Sequence, residues 1–335
     1  MGEREPWHSV MDKAFEILKL LNDGRMHSGA DIASSLGITR GAVWNRIQRL
    51  QARGVSIFGI AGKGYRLPHP FDFLDGLEIE AALTSATRRS LQPLDIALIT
   101  DSTNQQLLQR ATHDNVHGVA LFAEYQTDGR GRRGDRWTAP PGSGLCLSLG
   151  WRFDAPPSTM SALSLVIGIA VVRTVQSLGV ATLALKWPND VMFQGRKLAG
   201  ILIEMRSEYG GPSTVVIGVG LNCRLEPDVR TNITQPVADL SEAVGTSLRR
   251  NAIAASLLNH LVDVLTIFAR EGFAGFSAEW ARHDGLAERP VQLVLPDRTI
   301  DGIARGVDPS GMLMIEHDGQ LERFLAGHVR LLDAA

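Results

Sequence analysis

The sequence predicts an α+β protein of three domains: a winged helix-turn-helix, a central mixed α/β domain and a small C-terminal β-barrel. Three patterns predict it. Amphipathic helical spacing near the start runs into a basic stretch without acids; residues 78–283 alternate strand and helix patterns; and short strands between Pro, Asp and Gly turns follow Arg289. A length of 335 residues exceeds one ordinary domain. The expected divisions are 1–68, 69–285 and 286–335.

In the first segment, Phe15, Ile17, Leu18 and Leu21 recur at helical spacing over residues 11–22, with Asp12, Glu16 and Lys19 between them and Gly24 closing the helix. A second helix starts at Ser28, with Asp31 in the reciprocal place of a capping box and Ile32, Ala33 and Leu36 as its apolar face. Gly37-Ile38-Thr39 is a tight turn that places Thr39 to cap a third helix from Arg40 to about Arg53. Two short helices across a glycine-containing turn are the helix-turn-helix signature. Val43, Ile47 and Leu50 should pack inward while Arg40, Asn45 and Arg46 face a major groove; Trp44 is ambiguous between the two sides, with core packing the preferred reading. Residues 55–58 and 65–67 read as a hairpin wing around 59–64, with Lys63 near its tip to meet phosphate. From Arg40 to Arg66 there are six basic residues and no acidic one. That favours DNA over a module that only contacts protein. Pro68-His69-Pro70 then breaks secondary structure and ends the domain.

In the middle segment, a strand over 96–99 ends at Asp101-Ser102-Thr103-Asn104, and a helix follows over 105–111. Ser102 or Thr103 can cap that helix, and helix N-termini also present N–H groups to ligands. A strand over 119–125 leads through Gln126 into a loop where Gly129, Gly131 and Gly134 spell G-x-G-x-x-G. A dinucleotide-binding turn must open a helix. This loop instead runs into Thr138-Ala139-Pro140-Pro141-Gly142-Ser143-Gly144, which cannot, and it carries four arginines in seven residues. Such a density of guanidinium groups suits a polyphosphate or acyl-phosphate ligand, with glycines letting the backbone close onto it. A basic loop contacting nucleic acid is the other reading.

After an apolar helix over 160–178, a strand at 184–185 reaches Lys186-Trp187-Pro188-Asn189-Asp190, where proline holds Lys186 and Asp190 in a rigid turn. Arg196-Lys197-Leu198-Ala199-Gly200 sets Lys197 at the head of an apolar strand. There it either meets an anion or polar ligand, or reaches solvent at the strand edge. Residues 215–222 carry Gly218 and Gly220 on one face, the mark of close approach by a ligand or another backbone, or of a β-bulge. Helices over 249–270 and 274–283 offer Phe268, Phe273, Phe276 and Trp280 to the core. Strands over 291–295, 300–307, 312–316, 321–324 and 329–332, separated by turns at Pro296-Asp297, Asp308-Pro309-Ser310-Gly311 and Asp318-Gly319, complete the small barrel.

Composition narrows the class. With 44% hydrophobic residues, 21% charged and a net charge of −2, the chain is globular and does not bind nucleic acid along its whole length; any basic surface must be local. Cys146 and Cys223 lie far apart with no C-x-x-C pair, which argues against a thiolate zinc site and reads as two reduced core thiols. Met1-Gly2-Glu3-Arg4-Glu5 lacks the apolar region of a signal peptide, and the most apolar stretch, 163–172, stops at Arg173, too short to span a bilayer. The expectation is a cytoplasmic protein with no membrane partner.

Taken in order, Asp101-Ser102-Thr103-Asn104, Gly129-Arg130-Gly131-Arg132-Arg133-Gly134, Lys186-Trp187-Pro188-Asn189-Asp190, Arg196-Lys197-Leu198-Ala199-Gly200 and Gly218-Val219-Gly220-Leu221-Asn222 resemble the biotin–protein ligase family. With the winged helix ahead of them, the whole chain resembles the bifunctional bacterial members that ligate biotin and repress the biotin operon. The resemblance implies a central domain of the class II aminoacyl-tRNA synthetase/biotin–lipoate ligase type. It implies an SH3-like last domain that completes the ATP site and helps dock the acceptor. The implied substrates are biotin and ATP, accompanied by Mg²⁺. The implied product, biotinyl-5'-AMP, passes its biotin to a lysine of a biotin carboxyl carrier protein, a subunit of acetyl-CoA carboxylase. The adenylate would also act as corepressor for operator DNA, bound as a homodimer.

By position in the family, Ser102, Thr103, Asn104 and Gln126 would hydrogen-bond biotin. Arg130, Gly131 and Arg132 would lie in the loop that closes over biotin and the adenylate, with Trp137 packed at its base. Lys186 would bind phosphate, Lys197 would contact the biotin carboxylate and acyl phosphate, and Asn222 would lie by the adenylate together with Arg132 and Trp137. Arg130, Lys186 and Lys197 form the implied catalytic set; no Mg²⁺ ligand is assigned. Two departures bear on how tightly the adenylate is held and whether it drives dimerisation. Asp135 stands where the family repressor has a basic residue, and Pro236-Val237 stand where a tryptophan covers the adenine. A sensor-repressor with an inactive ligase domain is opposed by the retained phosphate-binding set. A lipoate ligase is opposed by the glycine-arginine loop and the 186–190 turn.

Overall fold

The computed structural model describes residues 6–207, 212–245 and 248–332; the charged start at residues 1–5 lies outside them. The chain begins with α1 (Pro6–Leu21), α2 (Gly29–Leu36) and α3 (Arg40–Gln51). The expected caps are present. Ser28 Oγ accepts from the Asp31 amide and donates back to its carboxylate, Gly37 closes α2 in the left-handed region at φ +61°, and Thr39 caps α3. Phe15, Ile17, Leu18, Leu21, Ile32, Val43, Ile47 and Leu50 form the core of this unit. The wing's strands lie nearer its tip than expected: β1 (Phe58–Ile60) pairs antiparallel with β2 (Gly64–Arg66), while Val55 and Ile57 turn inward to the core.

The central domain follows in the order α4 (Gly76–Ala81), α5 (Ser85–Ser90), β3 (Asp95–Thr100), α6 (Thr103–Arg110), β4 (Ala120–Gln126) and β5 (Gly144–Phe153). Then come α7 (Leu163–Gln176), β6 (Ala184–Lys186), β7 (Asp190–Phe193), β8 (Arg196–Ser207), β9 (Ser213–Asn222), α8 (Pro227–Thr231), α9 (Leu240–Val244), α10 (Arg250–Glu271) and α11 (Ser277–His283). The seven strands β3 to β9 form one sheet in the order β3-β4-β5-β9-β8-β7-β6, antiparallel except for the β3–β4 pair.

Strand parity divides this sheet into two different faces. Leu145, Leu147 and Leu149 of β5 and Val215, Ile217, Val219 and Leu221 of β9 enter the main core beneath α7 and α10. The alternate residues, Cys146 and Ser148 of β5, Gly218 and Gly220 of β9 and Gly200 of β8, are small and leave room on the opposite face. The apolar stretch at α7 is longer than the sequence reading. Pro157–Gln176 and Arg250–Gly275 are each long and apolar enough to cross a membrane, but they lie largely buried, and α7 and α10 pack against each other. Core packing accounts for their apolarity.

The last segment contributes β10 (Pro290–Val294), β11 (Thr299–Val307), β12 (Leu313–His317), β13 (Gln320–Phe324) and β14 (His328–Leu331), an antiparallel sheet in the order β13-β12-β11-β10-β14. A register shift between Ala304 and Val307 interrupts the β11–β12 ladder. Its inner residues, among them Val291, Leu293, Ile315 and Val329, join the main core. Trp187 Nε1 donates to Gly311 O at 3.1 Å, tying this sheet to the 186–190 turn.

Candidate functional site

One cavity opens on the small-residue face of the large sheet, and the separated sequence islands converge on it. Its uncharged end is built where β3 and β4 stop. Ser102, Thr103 and Asn104 start α6 and are all buried. The Thr103 amide and hydroxyl both donate to Gln126 Oε1, at 2.8 and 3.0 Å. Ser148 Oγ donates to Asn104 Oδ1 and lies 2.7 Å from Thr103 Oγ1; Asn104 Nδ2 donates to Glu204 Oε2 at 3.0 Å. Fully hydrogen-bonded buried networks of this kind hold their members in one geometry.

The glycines of β8 and β9 explain how the floor accepts bulky side chains. A Cβ on Gly218 would stand 2.5 Å from Asn104 Oδ1, and one on Gly220 would stand 2.3 Å from Trp137 Cε2. The expected close approach is therefore made by the site's own side chains. The β-bulge alternative is excluded, because β9 keeps continuous register with both neighbours.

The glycine-arginine loop is not a helix-opening turn. It is a hairpin excursion in which Arg130 bridges to Arg136 and Trp137 N donates to Gly129 O, with a single 3-10 turn at Arg132–Gly134. The charged end gathers here. Arg130 pairs with Glu204 at 3.1 Å. Lys197 Nζ lies 2.8 Å from Asp190 Oδ1 and 5.9 Å from the centre of the Trp137 ring. Arg132 reaches Asn189 Oδ1 at 3.4 Å. Burial lowers the pKa of both Arg132 and Lys186; neighbouring Lys197 and Arg330 lower that of Lys186 further, and Asp190 opposes the shift in both cases. This excess of cations over carboxylates, half withdrawn from water, suits a polyanionic ligand.

Asn222 is the predicted site residue that does not line the cavity. It is buried, and its amide donates to Ala238 O at 3.0 Å and Lys197 O at 3.4 Å. Its hydrogen bonds hold the 235–238 segment along the head of β8, where Val237 bridges to Lys197. The Pro236-Val237 pair thus does border the charged end.

Four contributors escaped the sequence reading. Asp190 sat inside a flagged island without a role, Glu204 lay just beyond the 196–200 island, and Ser148 was visible as a hydroxyl in a largely apolar strand. His328 had no signal, since β14 brings it from the far end of the chain. Burial first, then Lys186, Arg330 and Arg133, hold the His328 pKa below its ordinary value. Cys146 lines the cavity, and burial pushes its thiol, like that of Cys223, up to about 12; both are free and inert.

The second candidate surface is on the winged helix. Arg40 and Asn45 of α3 and Lys63 at the wing tip are exposed as expected. Two assignments are reversed. Trp44 is 54% exposed rather than in the core, and Arg46 is half-buried, its Nε and Nη1 shielded from solvent and without a hydrogen-bond partner among the described residues. Residues 44 and 46 flank the buried Val43-Ile47-Leu50 stripe on opposite sides, and the packing admits Arg46.

The fold and the cavity define a biotin/lipoate-type protein ligase with a helix-turn-helix module ahead of it. Residues 96–222 match the Biotin/lipoate A/B protein ligase family, residues 13–66 an HTH domain and residues 288–332 the biotin protein ligase C terminal domain. The chain is 40% identical over 321 residues to the bifunctional ligase/repressor BirA of Salmonella typhimurium, covering 95% of this chain and 97% of that one. It is 38% identical over 319 residues to the BirA of Escherichia coli, with the same coverage. A biotin protein ligase from Aquifex aeolicus, solved in complex with biotin and ATP, superposes with a TM-score of 0.61 at 26% identity, covering 72% of this chain and 99% of that one. The chain belongs to the family of bifunctional biotin ligase/repressors of the BirA type.

Proposed function

We propose that the protein couples biotin to AMP at the expense of ATP and then transfers the biotin to a lysine of a biotin carboxyl carrier protein. The same biotinyl-5'-AMP acts as corepressor for binding operator DNA as a homodimer. Residues 1–68 serve DNA, 69–285 the chemistry, and 286–335 complete the nucleotide end and help dock the acceptor. The observation that carries the reading is the joining of a hydrogen-bonding polar end to a cluster of six arginine and lysine side chains in one cavity. The work belongs in the cytoplasm, where ATP and DNA are both present.

Ser102, Thr103, Asn104 and Gln126 orient biotin with its carboxylate toward Lys197. A carboxylate oxygen forms the bond to the α-phosphorus of ATP, and pyrophosphate leaves with the electrons of the broken P–O bond. Negative charge builds on groups already anionic, and Lys186, Lys197, Arg130 and Arg132 stabilise it by fixed position rather than covalent chemistry. The hairpin excursion over 129–137 covers the mixed anhydride and excludes water. The acceptor amine, after losing a proton, forms the amide at the acyl carbon and AMP leaves.

Among the described residues no cluster of three or more His, Cys, Asp or Glu could hold a metal by itself. Mg²⁺ needs no such cluster, since it keeps several waters and binds through one or two carboxylates plus substrate phosphates. Asp190, at the charged end of the cavity, would be the carboxylate to hold it, and the ion would neutralise the leaving pyrophosphate.

ATP–pyrophosphate exchange tests the reading, comparing biotin, lipoate and no added acid. Exchange that depends on biotin supports it. Exchange with lipoate alone changes the substrate, and no exchange in folded protein with Mg²⁺ leaves only a sensor-repressor. Replacing Arg130 or Lys197 by Ala should lower the biotin-dependent rate on the order of 100-fold; unchanged rates would remove both from the site.

A further inference from the structure

We infer that Trp44 is a base-reading residue of the winged helix, making apolar contact with a thymine methyl in the major groove beside an adenine read by Asn45. This rests on the proposed repressor role and specifies what that surface recognises. Val43, Ile47 and Leu50 fix the buried side of α3, so Gly41, Trp44, Asn45 and Gln48 form its exposed side. Trp44 is 54% exposed, while Trp151, Trp187 and Trp280 are buried. The fold makes no use of an indole at this position.

Its surroundings favour DNA as the occupant. Trp44 lines a concavity of about 460 Å³ between α3 and the wing, together with Arg40, Ile60, Lys63 and Tyr65. Ile60, on the facing wing strand, is 47% exposed. Arg40 and Lys63 supply cations to the concavity, and the chain from Arg40 to Arg66 has no acidic residue. That charge complements a phosphate backbone, while the apolar wall needs an uncharged contact within it. In the major groove the thymine C5-methyl is the apolar feature, and adenine N6/N7 is the pattern an amide reads in bidentate fashion. Arg46 does not present a paired donor edge to guanine from this surface, because its Nε and Nη1 are shielded from solvent.

The experiment selects bound duplexes from a randomised pool with the full-length protein in the presence of biotin, ATP and Mg²⁺. Each thymine of the selected site is then replaced by uracil, which removes only the methyl. Wild-type protein should lose about fourfold in affinity at one thymine per half-site, the equivalent of one buried methyl. Trp44→Ala should bind more weakly overall, on the order of tenfold, and bind the thymine and uracil duplexes equally; Trp44→Phe should restore part of the discrimination. Biotin-dependent pyrophosphate exchange should stay at the wild-type rate in both variants, which shows an intact ligase. A selected duplex that Trp44→Ala binds as well as wild type, or with the same thymine preference, overturns the inference alone. So does a variant altered only in self-association, which would assign the patch to a protein contact. A pool that yields no bound duplex sinks the repressor reading and this inference together.

Discussion

Lys197 and Asp190 stand 2.8 Å apart, and Arg130 stands 3.1 Å from Glu204. Lys197 and Arg130 thus begin with protein counter-ions, so an incoming anion competes with a carboxylate rather than with water alone. Precision at this scale is set by residues without side chains. Gly220→Ala would drive a Cβ to 2.3 Å from the Trp137 ring. Overpacking of that kind costs about 1–3 kcal/mol. The expected outcome is a raised KM for biotin in pyrophosphate exchange with a smaller change in thermal stability; an unchanged KM would show that Trp137 has space to move. The site was largely legible at this scale because motif residues sit at strand ends, where chain direction alone brings them to one edge. Trp44 and Arg46 were not. Both lie about a quarter-turn from the core stripe, and hydropathy assigned the inner place to the wrong one.

Between residues and domains, short elements act as straps. Helices α8 and α9, neither of which the strand and helix periodicities revealed, carry Arg230 and Glu242. Glu242 pairs with Arg196 at the head of β8 and with Arg230, which also holds the buried Asp239 at 2.6 Å. Arg196 first, then Arg230, push the Glu242 carboxyl down to about 2 from an ordinary 4.5. A folded-state value below the unfolded one means stabilisation that is fully present above pH 4.5 and lost as pH falls toward 2. Glu242→Gln should therefore be less stable than wild type at neutral pH, with the two urea midpoints converging in acid; a constant gap would exclude the ion pairs as its cause. The wing is the other short element with a defined task. Lys63→Ala should weaken DNA binding about equally for all sequences and reduce the salt slope by roughly one unit. Sequence-dependent weakening would instead mean that Lys63 reads bases.

Across the whole molecule, Arg250 at the start of α10 fastens three regions. Its guanidinium pairs with Glu124 of β4 at 2.9 Å and donates to Asp72 O and Gly144 O, while the Glu124 carboxylate also accepts from the Leu74 amide. Arg250→Met would strand a buried carboxylate and should cost about 3–5 kcal/mol, measured as a fall in the urea midpoint. Adding Glu124→Gln should recover much of it, and no recovery would refute the ion pair as the cause. No local pattern announced this hub, nor the arrival of His328 at the cavity, because both depend on contacts between distant parts of the chain.

The winged helix is seated rather than tethered. Its core continues into Ile99 of β3, Arg53 lies over the Tyr125 ring, and Asn22 and Phe71 exchange hydrogen bonds across the linker. Gly54 approaches Val229 and Pro140 so closely that a Cβ there would stand 2.7 Å from Val229 Cγ2. In the proposed homodimer, the gap between the two recognition helices would then be set by how the two whole bodies are held, not by a flexible linker. The ruler that measures operator spacing would be the ligase itself, and the permitted distance between half-sites would change with the ligase interface rather than with linker length.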